Sequence, residues 1–110
     1  MKDDKSSPAR AATRVRPAKR RAPFMPCVSR FYGISIYIYF RDHAPPHFHA
    51  FYGEFEAVVE IATGAIVAGE LPRRARGLVA EWAALRRAEL ELGWNLAAAS
   101  SPLAPIAPLE

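Results

Sequence analysis

The chain has 110 residues, with 15 basic and 11 acidic side chains, and 51% of its residues are hydrophobic. This length and composition predict one small globular domain and exclude a chain that is disordered throughout. The longest uncharged stretch near the middle of the chain, residues 31–40, has about half the length of a membrane-spanning helix. A single cysteine, Cys27, excludes an internal disulfide and an all-cysteine zinc site. We therefore expect a cytoplasmic domain with no membrane contact.

The charge is unevenly distributed along the chain. Residues 1–24 carry eight basic and two acidic side chains, whereas residues 25–110 carry seven arginines and nine acids. The second segment contains no lysine, which excludes a phosphate-loop lysine and a Schiff-base lysine there. We expect residues 1–24 to be a disordered basic tail and residues 25–110 to be a single domain. The tail is interpreted as a nucleic-acid-binding arm, as a solubilising extension, or as the result of a start assigned upstream of Met25.

Hydrophobic alternation predicts four β-strands. Apolar and polar residues alternate over residues 34–41, and two prolines then end that strand. Residues 47–52 and 55–61 form the next two predicted strands, separated by Gly53. A turn at residues 62–65 leads into a short strand at residues 66–68.

The period then changes to that of a helix. Pro72 suits a first helical turn, and apolar residues recur at helical spacing after it. The predicted apolar stripe comprises Ala75, Leu78, Val79, Trp82, Leu85, Leu92, Leu96 and Ala99. Gly93 weakens a helix by about 1 kcal/mol, so we expect either one bent helix over residues 72–98 or two helices that meet near residues 88–93. The fold class is α+β: a small antiparallel meander of three or four strands with the C-terminal helix or helices packed on one face.

The other face of this sheet is predicted to collect polar and aromatic side chains. They are Tyr37, Tyr39, Arg41, His47, His49, Glu56 and Glu60, and all three histidines of the chain lie within residues 43–49. The least specific interpretation is an ordinary solvent-facing side of an antiparallel sheet.

Three kinds of chemistry fit this face. In the first, His47 and His49 bind a divalent metal such as zinc, with His43, Asp42 or Glu54 completing the site. In the second, no cofactor is needed: His47 and His49 act with a carboxylate in acid–base catalysis on RNA, while Tyr37 or Arg41 steadies a phosphate. In the third, the aromatic and arginine side chains form a protein-binding surface. Spacing alone does not separate the three, so whether the protein is an enzyme stays open.

Three arginines, Arg73, Arg74 and Arg76, fall in the first turn of the predicted helix, where cations oppose the helix dipole. One interpretation is that nearby glutamates neutralise them. The other is that the arginines and the helix N-terminus together form an anion-binding or RNA-binding site.

One sequence block is specific enough to point to a family. The block Asp42-His43-Ala44-Pro45-Pro46-His47-Phe48-His49-Ala50, with Met25-Pro26-Cys27-Val28-Ser29-Arg30-Phe31-Tyr32-Gly33-Ile34 before it, resembles domain-of-unknown-function family 4160. The resemblance continues through residues 69–74, Glu81-Trp82 and residues 105–109, so it covers nearly all of residues 25–109.

The resemblance implies a bacterial protein without an established activity. Members of this family are similar to the products of small toxin–antitoxin-type genes, often beside a small domain of unknown function of family 2442. This implies a small cognate protein partner and an RNA target, and it assigns no catalytic residue. Our first hypothesis is therefore a toxin–antitoxin-type component whose open sheet face binds or cleaves RNA or is masked by a partner. A metal-binding accessory domain and a non-catalytic interaction module are the alternatives.

Overall fold

The computed structural model describes residues 26–110. The predicted disordered tail, residues 1–24, lies outside the described residues. Within residues 26–110, no helix is both long and apolar enough to cross a membrane.

Five antiparallel strands form one sheet in chain order, and two helices follow them. The elements are β1 (Cys27–Phe31), β2 (Ile34–Tyr37), β3 (His47–Tyr52), β4 (Phe55–Glu60), β5 (Ile66–Gly69), α1 (Arg73–Leu85) and α2 (Arg87–Ala98). The predicted α+β class and meander are confirmed. The predicted number of strands, three or four, is wrong because β1 was missed.

Strand β1 was not predicted from the sequence because an irregularity interrupts its alternation. Cys27 pairs with Tyr37 and Ser29 pairs with Ile36, so Val28 is an extra residue in the ladder. As a result Val28 and Ser29 are buried in succession, and the alternation that marks a strand is lost.

Strand β2 is shorter than predicted and ends at Tyr37. Residues 38–46 form a loop that is tied to the end of α2, because the backbone N–H of Arg41 donates to the Ala97 carbonyl at 3.1 Å. Arg41 adopts a left-handed backbone conformation with φ 55°. The loop therefore folds back toward the start of β3, which positions the candidate site.

The helical segment divides at Arg86, whose φ of −112° and ψ of 21° depart from helical values. This confirms the two-helix alternative, although the break lies just before the predicted interval of residues 88–93. Gly93 lies inside α2, and a Cβ at that position would come within 3.0 Å of Ile38 Cδ1. The glycine therefore permits α2 to pack closely against Ile38, which directly follows β2, rather than ending the helix.

The core lies between one face of the sheet and the two helices. Trp82 is fully buried, with its ring 5.2 Å from that of Phe31 and 5.7 Å from that of Phe48. The predicted stripe is wrong at Leu85 and Leu92, which are 62% and 59% exposed. The buried side is centred slightly further round the helices than predicted, at Ala75, Val79, Trp82, Ala83, Leu90, Gly93, Trp94 and Ala97.

The C-terminal segment, residues 101–110, has no regular secondary structure and packs on the domain. The N–H of Ile106 donates to the Val28 carbonyl at 2.8 Å, and the Ile106 side chain is buried. The indole N–H of Trp82 donates to the Ala107 carbonyl at 2.8 Å. The segment thus joins β1 to α1.

Candidate functional site

Two histidines project from the same face of β3. His47 and His49 are two residues apart on the strand, so they share a face, and their ring centroids are 5.2 Å apart. His49 pairs with Tyr37 of β2 and with Val58 of β4, in the middle of the sheet. The alternation predicted for this strand is confirmed.

Asp42, from the loop after β2, lies against both rings. Its Oδ2 is 2.8 Å from His47 Nε2 and 3.4 Å from His49 Nε2. One oxygen and two nitrogens therefore converge, all within 4.8 Å of one another. We call Asp42, His47 and His49 the three-donor cluster.

The other ring nitrogen of each histidine is also engaged. His47 Nδ1 is 2.8 Å from the Pro45 carbonyl. Because a carbonyl only accepts, Nδ1 must carry the hydrogen and donate it. His49 Nδ1 lies 3.4 Å from Glu56 Oε2, which is likewise an acceptor when ionised. In its neutral form, each ring with its hydrogen on Nδ1 directs the lone pair of Nε2 toward Asp42.

Asp42 is ionised at neutral pH. Its partial burial acts to raise the pKa of the carboxyl group. Hydrogen bonds from the His43 backbone N–H and from the His49 and His47 rings, together with the charge of His47, outweigh that effect and hold the pKa below its usual value.

The short contact between His47 Nε2 and Asp42 Oδ2 depends on what lies between the two atoms. A neutral His47 with hydrogen on Nδ1 presents a lone pair to a carboxylate oxygen at 2.8 Å, and two acceptors at that distance repel each other. A proton on Nε2 or a metal ion between the atoms removes the repulsion. These two solutions correspond to the acid–base and metal hypotheses raised by the sequence.

Aromatic rings enclose the cluster. Tyr39 stacks on His49, with centroids 4.0 Å apart and planes 9° apart. Trp94 of α2 lies 5.1 Å from the His47 ring. His47 and His49 are consequently only 5% and 9% exposed. The expectation that this face is open is wrong at these two histidines, and we expect alanine at either position to lower stability, because buried and hydrogen-bonded side chains are costly to remove.

The remaining predicted site residues occupy different places. Tyr37 is buried, with its ring edge-on to Phe51 at 5.4 Å. Arg41 is turned away, since its Nε donates to Ser100 Oγ at 2.9 Å, so it does not join the histidines. His43 lies at the rim: its side chain is 86% exposed and its Nε2 is 3.7 Å from Asp42 Oδ1. Of the three residues that could complete a metal site with the histidine pair, the structure brings Asp42 into the cluster.

Arg73, Arg74 and Arg76 lie on α1 and are exposed. Among residues 26–110, none of the three forms an ion pair with a glutamate, so the expected neutralisation does not occur there. Arg73 and Arg74 line a shallow groove together with Gly77, Leu78 and Glu81.

Sequence reasoning missed two contributors to the site. No role was predicted for Trp94, although its position along the helix matches the buried side of α2. The Pro45 carbonyl, which fixes the His47 tautomer, leaves no pattern in side-chain types.

A family model for a domain of unknown function, DUF4160, matches residues 33–95. This match covers more than half of the chain and includes β2 to β5, α1, most of α2 and the whole three-donor cluster. The chain belongs to the DUF4160 family. Comparison with curated proteins and with solved structures yields no match.

Proposed function

We propose that this DUF4160 domain binds one divalent transition-metal ion through Asp42 Oδ2, His47 Nε2 and His49 Nε2. The observation that carries the proposal is the convergence of these three donor atoms within 4.8 Å. The Nδ1 contacts support it, because metal-binding histidines usually donate their other ring N–H to a carbonyl or carboxylate.

The donor set favours a particular class of metal. Two imidazoles and one carboxylate suit zinc and neighbouring first-row ions, whereas calcium and magnesium prefer oxygen ligands alone. Three protein ligands leave a fourth position for water or a substrate, as in catalytic zinc sites. Bound in this way, the ion would supply Lewis-acid chemistry. The domain's own residues hold the donors in place, and Tyr39 and Trp94 limit the access of water to the two rings.

In a second candidate function, a proton rather than a metal ion lies between Asp42 and His47. In it, the domain is a cytoplasmic toxin–antitoxin-type component that binds or cleaves RNA, and a small protein of family 2442 is its cognate partner. The Asp42–His47 distance of 2.8 Å supports this candidate, since a carboxylate that holds an imidazolium is an acid–base arrangement. Arg73, Arg74 and Arg76, exposed and without ion pairs among residues 26–110, are the phosphate contacts that it offers.

A metal titration distinguishes the two candidates. The full-length chain, stripped with EDTA and dialysed, is titrated with zinc by calorimetry. We expect about one ion per chain with a dissociation constant below about 1 µM, a modest requirement for a three-ligand zinc site. His43→Ala is the matched control: it removes a neighbouring imidazole outside the three-donor cluster and should leave the affinity unchanged.

Failure to bind zinc, or loss of binding in His43→Ala, contradicts the metal proposal. Growth arrest on induced expression, relieved by the neighbouring gene, together with RNA cleavage by the purified protein in EDTA, supports the second candidate instead.

A further inference from the structure

We propose that the outer side of the two helices is a self-association surface, on which a second copy of the chain docks in antiparallel orientation. Leu85 and Leu92 are 62% and 59% exposed and lie seven residues apart, close to two helical turns. Leu78, partly buried, lies seven residues before Leu85.

Both helices place their exposed leucines on the outer side, although the helical segment divides at Arg86. The Arg86 N–H donates to the Trp82 carbonyl, and the Leu90 N–H donates to the Arg86 carbonyl, both at 2.9 Å. These two bonds join the end of α1 to the start of α2, and both helices bury one side on the core, through Val79 and Trp82 in α1 and through Leu90 and Trp94 in α2. Leu85 and Leu92 are exposed and therefore lie on the side of the two helices that faces away from this core.

A place for an incoming leucine exists beside Leu78. The groove there is lined by Arg73, Arg74, Gly77, Leu78 and Glu81. A Cβ built on Gly77 would meet nothing within 4 Å, so the domain's own side chains leave this space unfilled. Leu85 of a second copy has the size and polarity to occupy it.

The charges along the helices are self-complementary. Arg73 and Arg74 begin α1, whose first turn has no acidic residue, and neither forms an ion pair among residues 26–110. Glu89 follows in α2, where its 3.9 Å contact with Arg86 is long and exposed. A basic start and an acidic later turn attract each other when two copies run in opposite directions.

The leucine and the charges specify the same register. When Leu85 of the second copy lies beside Leu78 of the first, Glu89 of the second copy lies beside Arg74 of the first. The two chains run in opposite directions, Glu89 lies four residues after Leu85, and Arg74 lies four residues before Leu78. A two-fold axis repeats both contacts, as in most homodimers. This pattern favours a second copy over an unrelated partner. The contact between Glu89 of one copy and Arg74 of the other also offsets the unfavourable position of arginines at a helix N-terminus.

Sedimentation equilibrium of the full-length chain from about 10 µM to about 1 mM tests the proposal. We expect a monomer–dimer equilibrium that Leu85→Glu weakens by at least about 100-fold, because two buried leucines are lost per dimer. Val67→Glu is the matched control, since Val67 is 59% exposed on β5, away from the helices. All variants should keep the wild-type circular dichroism, because the altered side chains are exposed.

A charge exchange tests the orientation. Arg74→Glu and Glu89→Arg should each weaken the dimer by about tenfold, through two symmetry-related contacts, and the double variant should return to within about threefold of wild type. A monomer over the whole concentration range, or a dimer insensitive to Leu85→Glu, would overturn the proposal. A dimer that the double charge variant does not restore would overturn the antiparallel register. Because the three-donor cluster lies outside the helical surface, zinc binding is independent of every one of these outcomes.

Discussion

Replacing Trp82 with alanine is expected to lower the free energy of unfolding by about 3–5 kcal/mol, the usual range for a buried tryptophan. Trp82 is completely buried between Phe31 and Phe48. It also holds the C-terminal segment through its hydrogen bond to Ala107. A loss of this size is a large fraction of the total stability of a small domain.

Denaturant unfolding in EDTA, followed by circular dichroism, measures this effect. Trp82→Phe keeps most of the packing and removes the hydrogen bond, so it should lose less and remain folded where the alanine variant does not. Val67→Ala, at an exposed position, should change stability by less than about 0.5 kcal/mol. If Trp82→Ala fell within about 1 kcal/mol of wild type, the helix-on-sheet packing described above would be wrong.

Removing one metal donor is expected to weaken zinc binding by at least about 100-fold, and the structure predicts a graded series around that value. Asp42→Asn keeps the shape of the side chain and removes the charge, so it and His49→Ala should have the largest effects. Glu56→Gln should cost roughly tenfold, because Glu56 contacts His49 Nδ1 and not the ion. His43→Ala should cost nothing measurable.

Calorimetric titration of each variant, after thermal melting in EDTA to verify folding, gives the series. The order of the losses is the informative result. A larger loss for His43→Ala than for Asp42→Asn would favour the set His43, His47 and His49 and contradict the geometry of the three-donor cluster.

The elements that sequence predicted well are those whose side chains alternate without interruption. Strand β4 alternates between more and less buried positions; β3 places His47 and His49 on one face, although its first four residues are all buried, and a turn follows each strand. Strand β1 was missed because the extra residue Val28 shifts the register and interrupts the alternation of faces along the strand. Leu85 and Leu92 were placed in the core because they continue the apolar stripe at helical spacing, although both side chains are exposed.

The candidate site was likewise predicted only in part from the sequence. A period of two placed His47 and His49 together, and their spacing brought metal chemistry into consideration. The choice of Asp42 over His43 and Glu54 depends on the path of the loop from residue 38 to residue 46, which a hydrogen bond to Ala97 of α2 helps to set. The same path carries Arg41 away to Ser100. Such contacts join residues more than 50 positions apart and leave no local pattern.

A crystal structure of the full-length protein grown with zinc, with anomalous data collected on both sides of the zinc edge, tests the central claim most directly. The three-donor cluster predicts a zinc peak bound by Asp42 Oδ2, His47 Nε2 and His49 Nε2 at about 2.0–2.2 Å, with a water in the fourth position. A cluster without an anomalous peak, in which a proton alone joins Asp42 to His47, would contradict the metal site and leave the acid–base arrangement in its place.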